Sequence, residues 1–540
     1  MSFMAMIFGS QVALSCIVFC FLFPAPVAPA GVDHCEGTLY PELCASTLSV
    51  IPDLHAKSLP DVICATINAS EAAVNAAAKN CSNYLRHHSY ALDGRERYAL
   101  SDCLDLFSQT LDELAVAASD LSRRNPSSLI DDVRTVLSAA ITNQDTCLDG
   151  FAYVGHDGGY RHAIESRLYH LSHMVSNSLA MAGKIQRREP RRKEALEGYG
   201  ELDAVSEFPA WLPKKDRRLL QAATNETKAD LVVAKDGSGN FTTVSEAVEA
   251  APSNGKQRFV IHVKAGTYLE NVEVTKKKKN LMLMGDGIGK TVIKASRNVV
   301  DGWTTFRSAT VAVVGDGFLM RDLTVENSAG PSKHQAVALR VGADLSAFYR
   351  CSFVGYQDTL YAHSLRQFFR NCDVYGTVDF IFGNAAVVLQ NCSLYARRPL
   401  DNQQNIFTAQ GREDPNQNTG ISIHNCKVAA ASDLAPVQSS FRTYLGRPWK
   451  EYSRTVFMQS SLDSLIAPAG WLEWNGSFAL KTLYYGEYMN RGAGAGTSGR
   501  VNWPGYRVIN SSVEASKFTV AAFIQGDQWL TSVPFLAGLA

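Results

Sequence analysis

Two aspartates, Asp358 and Asp379, stand 21 residues apart in segments that repeat each other. Each aspartate follows a cysteine by seven residues, and each cysteine follows an aromatic residue by three. Repeats of about 20 residues are typical of solenoids, in which successive coils stack with strands about 4.8 Å apart. A lone loop aspartate usually caps a turn, but two carboxyl groups on adjacent coils resist ionising together. The spacing therefore predicts one acid beside one base or nucleophile.

Neutral amides and a cation accompany the two carboxyl groups. Gln357 directly precedes Asp358, and Gln335 lies 22 residues earlier, about one coil back. Amide N–H groups can stabilise a developing oxyanion without a metal, although stacked glutamines without the aspartates would equally indicate a structural amide ladder. Arg447, within Leu-Gly-Arg-Pro-Trp, is a candidate to pair with Asp379, keep it ionised and orient it.

Aromatic residues near these positions are candidate platforms for stacking on sugar rings, or else fill the core. They are Tyr356, Phe380, Trp449 and Trp471. The sequence has no C-x-x-C pair and no Cys/His cluster with the spacing of a zinc site. We therefore expect disulfides rather than a metal, and no other cofactor.

The repeat places the candidate site in an all-β domain. From residue 229 to 540 glycine becomes frequent, and short β-branched runs alternate with turns. Together with the 20-residue repeat, this pattern predicts a right-handed parallel β-helix. Cys372 has a cysteine one coil away on either side, Cys351 and Cys392, and each lies within the range of a disulfide. The spacing leaves both pairings open.

The chain before residue 186 is of a different kind. Residues 31–185 are rich in Ala, Leu and Ser and show helical periodicity, which predicts an antiparallel helix bundle. Residues 186–228 are charged and proline-rich and are predicted to be an exposed linker. Within it, Arg217-Arg218-Leu219-Leu220 is a candidate processing site or merely a solvated charge run.

The first 30 residues and the cysteine content predict export. Residues 1–30 are apolar and end in Ala-Pro-Ala, which resembles a signal-peptide cleavage site, but no Lys or Arg precedes the apolar core. An uncleaved membrane anchor is therefore the alternative. Ten cysteines beyond this leader fit an oxidising compartment.

The overall charge is balanced but unevenly distributed. Residues 221–540 carry a net charge of +6 and residues 1–220 a net charge of −6. This distribution suits a polyanionic partner for the second part and attraction between the two parts.

Five motifs in the second part resemble the plant-type pectin methylesterases that are made as precursors with an inhibitor-like pro-region. They are Gly266-Thr267-Tyr268-Leu269-Glu270, Gln335-Ala336-Val337-Ala338-Leu339, Tyr356-Gln357-Asp358-Thr359-Leu360, Asp379-Phe380-Ile381-Phe382-Gly383 and Leu445-Gly446-Arg447-Pro448-Trp449. The first part has four cysteines that resemble the inhibitor framework. That framework implies a four-helix bundle with the bridges Cys35–Cys44 and Cys103–Cys147. In the second part, the resemblance to the pectin methylesterases implies a bridge between Cys372 and Cys392.

The resemblance implies hydrolysis of galacturonate methyl esters in pectin, with de-esterified pectin and methanol as the products. Asp379 would be the nucleophile and Asp358 the proton donor and base, while Gln335 and Gln357 hold the oxyanion. Arg447 would orient the nucleophile, and Thr267 and Trp449 would help bind the polymer. The expected partners are methyl-esterified homogalacturonan, the chain's own pro-domain or separate inhibitor proteins, and a protease acting at Arg217–Leu220.

We expect no nucleic-acid partner, and a mature monomer secreted to the cell wall.

Three positions depart from the family pattern. Cys64 and Cys81 are additional cysteines that either form a third bridge or remain free, and Val136 stands where the family often has Trp.

Two other functions compete with ester hydrolysis. Paired carboxylates also serve glycoside hydrolysis, which forms an oxocarbenium-like cation and gains little from oxyanion donors. A purely inhibitory chain with an inactive β-helix is the other alternative, and the complete set of candidate residues argues against it.

Overall fold

The structure, a computed structural model, describes residues 32–88, 90, 92–152, 160–186, 228–530 and 535–539. The N-terminal part is a helix bundle made of α1 Val32–Cys35, α2 Pro41–Ser49, α3 Leu59–His87, α4 Gly94–Leu121, α5 Ile130–Asp149 and α6 Tyr160–Ala182. The four long helices α3 to α6 pack on one another, as the periodicity predicts. Ser58 and Asp93 begin α3 and α4 with capping boxes, in which side chains satisfy the free N–H groups of the first turn.

Both bridges expected in the bundle are present. They are Cys35–Cys44, between α1 and α2, and Cys103–Cys147, between α4 and α5. The additional cysteines Cys64 and Cys81 are both free thiols. Both lie on α3, where 17 residues of helix separate their backbones by about 25 Å, so they cannot bond to each other. Val136 is buried in α5.

The C-terminal part is a parallel β-helix of three sheets. Sheet A contains β1 Leu231–Val233, β2 Phe259–Val263, β5 Leu281–Gly285, β8 Leu319–Arg321, β11 Ser346–Tyr349, β14 Arg366–Arg370, β17 Ala386–Gln390, β20 Gly420–His424, β23 Arg454–Met458, β25 Tyr484–Tyr488 and β26 Tyr506–Val508. Sheet B contains β3 Gly266–Leu269, β6 Thr291–Ala295, β9 Thr324–Asn327, β12 Ser352–Val354, β15 Asp373–Gly376, β18 Ser393–Ala396, β21 Lys427–Ala430 and β24 Ser461–Leu462. Sheet C contains β4 Val272–Val274, β7 Val311–Val313, β10 Leu339–Val341, β13 Leu360–Ala362, β16 Ile381–Gly383, β19 Asn405–Gln410 and β22 Thr443–Pro448.

Four short helices accompany the sheets. They are α7 Val244–Ala250, α8 Ser512–Ser516, α9 Val520–Ile524 and α10 Gly526–Trp529. Helix α7 packs on the interior of the β-helix at its first coils, and α8 to α10 cover the outer face of sheet A. The apolar interior at the first coils and the outer face of sheet A are thereby removed from water.

The repeat recognised in the sequence is the turn from sheet A to sheet B. The residue before the cysteine has a left-handed backbone in each copy, with φ of 52° at Asn371 and 54° at Asn391, a conformation that asparagine adopts more readily than most residues. The Nδ2 group of Asn391 donates to Oδ1 of Asn371 over 2.7 Å. In the interior, Phe348 and Phe369 stack with ring centroids 4.5 Å apart.

The cysteines of the repeat are free thiols, so the bridge implied between Cys372 and Cys392 is not formed. The two belong to a stack of four buried thiols that also includes Cys351 and Cys426. Each sulfur of the pair hydrogen-bonds a carbonyl of an earlier coil, from Cys372 Sγ to Phe348 and from Cys392 Sγ to Phe369. Both thiols of the expected bridge are therefore hydrogen-bonded in the stack, and no two of its cysteines are joined in a disulfide.

The helix bundle packs on the outer face of sheet C. Tyr361 and Phe382, which stack with centroids 4.2 Å apart on neighbouring strands, belong to the same apolar cluster as the core of the bundle. Polar contacts reinforce this surface, such as the 2.9 Å hydrogen bond from Asn384 Nδ2 to Thr142 Oγ1 in α5. Helices α4 and α5 thus cover the strands that carry the candidate site.

Several predicted segments lie outside the described residues. These are the leader 1–30, linker residues 187–227 and the candidate processing site Arg217–Leu220. Among the described helices, none is long and apolar enough to cross a membrane.

Candidate active site

The two aspartates occupy equivalent positions on adjacent coils. Asp358 and Asp379 each lie two residues before a strand of sheet C, and the first residues of those strands, Leu360 and Ile381, are paired. The backbone N–H of Asp358 donates to the carbonyl of Val378 over 3.1 Å. Both aspartates have left-handed backbones, with φ of 63° and 51°, and both side chains are largely buried. The 21-residue spacing therefore brings the carboxyl groups to neighbouring strands about 4.8 Å apart.

Arg447 binds the second aspartate through two parallel hydrogen bonds. Its Nε donates to Asp379 Oδ1 over 2.8 Å, and its Nη2 donates to Asp379 Oδ2 over 2.5 Å. The guanidinium also lies 4.3 Å from the centre of the Trp474 ring. Such bidentate pairs fix both the charge and the orientation of a carboxylate.

The two carboxyl groups have different electrostatic environments. Burial raises the pKa of Asp358 well above its usual range, and the carboxylate of Asp379 raises it further, against the weaker opposing charge of Arg447. Burial also raises the pKa of Asp379, but the charge and hydrogen bonds of Arg447 lower it. Asp358 is therefore the group that keeps a proton, and Asp379 is the group that ionises first.

Both predicted amide donors lie beside the carboxyl groups. Gln335, Gln357, Asp358, Asp379 and Arg447 all line one cavity of about 390 Å³. Trp449 lines the same cavity, and its ring packs against Phe382 with centroids 5.9 Å apart. The sequence therefore identified five polar residues of the cavity and one of its aromatic walls.

Part of the cavity wall belongs to the helix bundle. Thr146, Asp149, Gly150 and Ala152, at and just beyond the end of α5, line it opposite the β-helix. Lys450 ties this wall to the β-helix through an ion pair with Asp149 at 3.5 Å. The bundle therefore closes the cavity on one side.

Four residues predicted to bind substrate do not line this cavity. Phe380 and Trp471 are buried inside the β-helix, where Phe380 packs on Phe407 and Trp471 stacks on Tyr485. They fill the core because their side chains point to the interior of the coil. Thr267 lies on β3 of sheet B, away from the strands of sheet C that form the cavity.

Tyr356 is the fourth of these residues. Its hydroxyl accepts a 2.7 Å hydrogen bond from Arg397 Nη2, and the Arg397 guanidinium lies 3.9 Å from its ring centre. This pairing holds the ring outside the cavity lining.

The structure adds cavity residues that the sequence analysis missed. They are Thr304, Thr305, Phe306, Tyr361, Phe382, Ala409 and Trp474. Tyr361 and Phe382 are 21 residues apart, so the same repeat that identified the aspartates also contained a signal for them. The residues around Phe306 belong to an irregular loop between β6 and β7, for which the repeat gives no register.

The site contains the groups that acyl transfer requires without a metal. In the part of the chain that the structure describes, no group of three or more His, Cys, Asp or Glu side chains is arranged to hold a metal ion. A carboxyl group paired with an arginine, a second carboxyl group whose pKa is raised well above its usual range, and two amide side chains lie around one space. A carboxylate nucleophile, a proton donor and an oxyanion hole are the three elements of this chemistry.

Comparison with protein families matches both parts of the chain. Residues 230–527 match the family described as Pectinesterase, and residues 32–181 match the family described as Plant invertase/pectin methylesterase inhibitor. Pectinesterase 3 of Citrus sinensis is 54% identical over 94% of this chain and 88% of its own length. Pectinesterase/pectinesterase inhibitor 3 of Arabidopsis thaliana is 52% identical over 94% of this chain and 90% of its own length.

Solved structures resemble the β-helix part. Pectin methylesterase from carrot is 65% identical, with a TM-score of 0.58, over 58% of this chain and 99% of that chain. A pectin methylesterase from Aspergillus niger is 32% identical, with a TM-score of 0.50, over 57% of this chain and 97% of that chain. Residues 228–540 make up 58% of the sequence, so the carrot chain corresponds in extent to a β-helix that folds without a bundle. The chain belongs to the pectinesterase family of enzymes, with an N-terminal part of the plant invertase/pectin methylesterase inhibitor family.

Proposed function

We propose that this chain hydrolyses galacturonate methyl esters in cell-wall pectin through an acyl-enzyme on Asp379. The observation that carries the proposal is the bidentate pairing of Asp379 with Arg447, one strand from the more strongly protonated Asp358. This pairing supplies an ionised nucleophile and a neutral acid within one cavity.

In the first step, a carboxylate oxygen of Asp379 attacks the carbonyl carbon of the methyl ester. The amide groups of Gln335 and Gln357 donate hydrogen bonds to the oxyanion that forms. Each donor lowers the barrier by about 3 kcal/mol. The tetrahedral intermediate collapses with cleavage of the bond to the methoxy group. Asp358 gives its proton to that oxygen, so methanol leaves and an anhydride joins Asp379 to the galacturonate.

In the second step, Asp358 is ionised and acts as a base. It takes a proton from a water molecule, whose oxygen attacks the galacturonate carbonyl of the anhydride. The same amides bind the second oxyanion, and Asp379 leaves as a carboxylate that Arg447 stabilises. The proton taken from water leaves Asp358 protonated for the next cycle, and the galacturonic acid that forms loses its remaining proton to solvent and is released as the carboxylate.

We also propose that the helix bundle inhibits the enzyme while it remains attached. Thr146 and Asp149 of α5 stand at the cavity that the substrate would enter. Thr146 Oγ1 lies 2.9 Å from Nε2 of the buried His363, which ties the helix to sheet C. A polymer cannot enter from this side while α5 is in place, so removal of the bundle is the activating step.

The remaining proposals concern secretion, proteolytic processing and the state of the mature enzyme, and they rest mainly on segments outside the described residues. Residues 1–30 direct secretion to the cell wall, and a protease releases the bundle by cutting at Arg217–Leu220. The released β-helix acts as a monomer on methyl-esterified homogalacturonan. These proposals draw support from the apolar leader, the basic linker and the plant relatives that carry both parts.

Methanol release tests the activity directly. Residues 228–540 are incubated with highly methylated pectin, and methanol and new reducing ends are measured in parallel. We expect methanol without reducing ends, and its loss in Asp379→Asn, which keeps the side-chain shape but removes the nucleophile. Reducing ends without methanol would instead establish cleavage of the polymer chain.

The full chain provides the test of inhibition. We expect the full chain to release methanol much more slowly than residues 228–540 at equal concentration. Cutting the linker and separating the bundle should restore the rate. Equal rates for the full chain and the β-helix would refute the inhibitory role.

A further inference from the structure

The positive charge of the β-helix part is concentrated near its first coils. Residues 252–281 contain seven lysine and arginine residues and two glutamates, a net charge of +5, whereas residues 221–540 as a whole carry +6. Four of the seven basic residues form the run Lys276–Lys279. The rest of the β-helix part is therefore almost neutral, and a polyanion would be attracted to this one end.

Two loops bring the basic side chains around one cavity. Residues 252–258 follow α7, and the lysine run forms the turn between β4 and β5. The backbone N–H of Asn254 donates to the carbonyl of Lys277 over 2.5 Å, and Asn280 Nδ2 donates to the carbonyl of Gly255 over 2.9 Å. The cavity has a volume of about 400 Å³. Its charged lining residues are Lys256, Arg258, Lys278, Lys279 and Asp230.

The charges inside this cavity do not cancel. Lys278 is 6% exposed, and its ammonium group donates to the carbonyls of Glu249 and Ala251 at the end of α7, over 2.5 and 2.6 Å. Carbonyl oxygens satisfy the donors of an ammonium group but leave its charge in place. The carboxylate of Asp230 accepts a 2.7 Å hydrogen bond from the backbone N–H of Val260. A positive charge is therefore built into the floor of the cavity.

The lysines at the mouth of the cavity have few anionic partners. Lys256 and Lys277 are exposed and form no ion pair with any other residue that the structure describes. Lys279 shares Asp316 with Lys276, at 3.4 and 3.2 Å, so one carboxylate faces two ammonium groups. The basic site consists of these three mouth lysines and the buried one, Lys256, Lys277, Lys279 and Lys278.

The basic site and the candidate active site lie at opposite edges of sheet C. Asp358 and Asp379 precede strands of that sheet, whereas the lysine run follows its strand β4. β4 is also four strands from β16, which corresponds to about 19 Å along the β-helix. Among the described residues, none from the helix bundle lines the cavity of the basic site. The bundle that covers the active site therefore leaves the basic site open.

We propose that the basic site is a second, non-catalytic binding site for a polymer of free uronates, the product of the proposed pectin methylesterase activity, on which this inference rests. Ammonium groups form charge-assisted hydrogen bonds with ionised carboxylates, whereas a methyl ester is uncharged. Phe259 and Leu281 line the same cavity and offer apolar surface to the C–H groups of a sugar ring. Several lysines around one cavity suit a ligand with a carboxylate on every unit.

The position of the basic site separates attachment from catalysis. The full chain binds the de-esterified polymer while the bundle closes its active site, so the inactive precursor is held where the enzyme will act. After release of the bundle, the β-helix stays attached through the same lysines. Because the basic site lies at the other edge of sheet C, it holds the chain without deciding which ester is hydrolysed.

Amine labelling of the full chain locates the bound polymer without any reaction. The protein is treated with an amine-reactive reagent with and without fully de-esterified oligogalacturonate, and mass spectrometry measures the labelling of each lysine. Near saturation, labelling of Lys256, Lys277 and Lys279 should fall roughly threefold or more. Lys481 and Lys517 are exposed lysines far along the chain, beyond β24, and their labelling should not change.

Three results would overturn the basic site. The first is equal labelling of its lysines with and without the oligogalacturonate. The second is an equal fall at the two control lysines, which would mean general attraction to the protein surface. The third uses polyglutamate, which carries carboxylates without sugar rings: equal protection at the same carboxylate concentration would reject a uronate polymer as the ligand.

A matched pair of triple variants of the full chain measures the contribution of the lysines to affinity. In one variant, Lys256, Lys277 and Lys279 are replaced by glutamine. In the other, Lys290, Lys481 and Lys517 are replaced, which removes the same charge at exposed positions outside the basic site. The dissociation constant for de-esterified pectin should rise about tenfold in the first variant and stay unchanged in the second. An equal rise in both would mean that net charge alone controls binding.

The binding results are independent of methanol release. Binding that depends on the three mouth lysines, without methanol release by residues 228–540, would keep the basic site and reject the proposed esterase activity. Methanol release without such binding would reject the basic site and keep the esterase. Circular dichroism of both triple variants checks that a loss of affinity does not come from a loss of folding.

Discussion

Replacement of Arg447 by glutamine tests whether the arginine sets the charge of the nucleophile. Arg447 donates two hydrogen bonds to Asp379, at 2.8 and 2.5 Å, and its charge lowers the pKa of that carboxyl group against the effect of burial. Because the arginine stabilises the ionised form of Asp379, its removal raises the pKa. The acid limb of the pH profile of kcat/KM should therefore move to higher pH.

The size of the shift follows from the contacts. Charge-assisted hydrogen bonds contribute about 1.5–3 kcal/mol each, and one pKa unit corresponds to about 1.4 kcal/mol. Two such bonds imply a rise of about 2 pKa units or more, since Arg447 is mostly buried and weakly screened. At a fixed pH below the new limb, methanol release should fall about a hundredfold, and it should recover in part as the pH is raised.

The assay is methanol release by residues 228–540 across a range of pH, with Arg447→Gln and Arg447→Lys beside the wild type. Lysine restores a charge but not the bidentate geometry, so its acid limb should lie between the other two. Circular dichroism checks that each variant is folded. A large loss of rate with an unmoved acid limb would refute the electrostatic role and leave Arg447 with substrate orientation alone.

Three other changes probe the fold and the contact between its parts. In the docked bundle, burial raises the pKa of Asp102 to about 7 and that of Asp145 well above its usual range. Docking therefore favours the protonated carboxyl groups, and the affinity between the two parts is highest at low pH. In the chain cut within its linker, the dissociation constant of the two parts should rise roughly tenfold or more from pH 5 to 7, and Asp102→Asn should flatten this dependence. Cys103→Ser should lower the urea stability of the bundle by about 2–5 kcal/mol, the usual cost of losing a disulfide. Gly446→Ala should abolish methanol release or folding, because its Cβ would lie 2.2 Å from Thr408 Oγ1, and activity equal to the wild type would contradict this packing.

The sequence predicted the parts of the site that the repeat controls. Asp358 and Asp379 occupy equivalent places because coils of equal length stack in register, and the strands that follow them pair in that register. Arg447 lies 68 residues beyond Asp379 along the chain, yet its strand is only two strands from β16. A solenoid converts sequence spacing into distance along its axis, which is why spacing alone was informative here.

The direction of the aromatic side chains could not be read from the same repeat. Phe380 follows the outward-facing Asp379, and strict alternation would then place Phe382 on the same face as Phe380. Phe380 and Ile381 both face the core while Phe382 faces the bundle, so the alternation is broken between Phe380 and Ile381, next to the left-handed backbone at Asp379. Irregular loops such as that around Phe306 have no register at all, and their place above sheet C follows only from three-dimensional packing.

The assignment of roles in the site does not depend on the bundle. Helix α5 helps to bury the cavity and so contributes to the desolvation that raises the pKa values of Asp358 and Asp379. Removal of the bundle admits water and lowers both values, but Arg447 belongs to β22 and remains paired with Asp379 alone. Because this asymmetry is built into the β-helix, Asp379 stays the more readily ionised of the two. In the proposed mechanism, the bundle therefore controls access to the site, while the coil register and one arginine decide which aspartate attacks and which donates the proton.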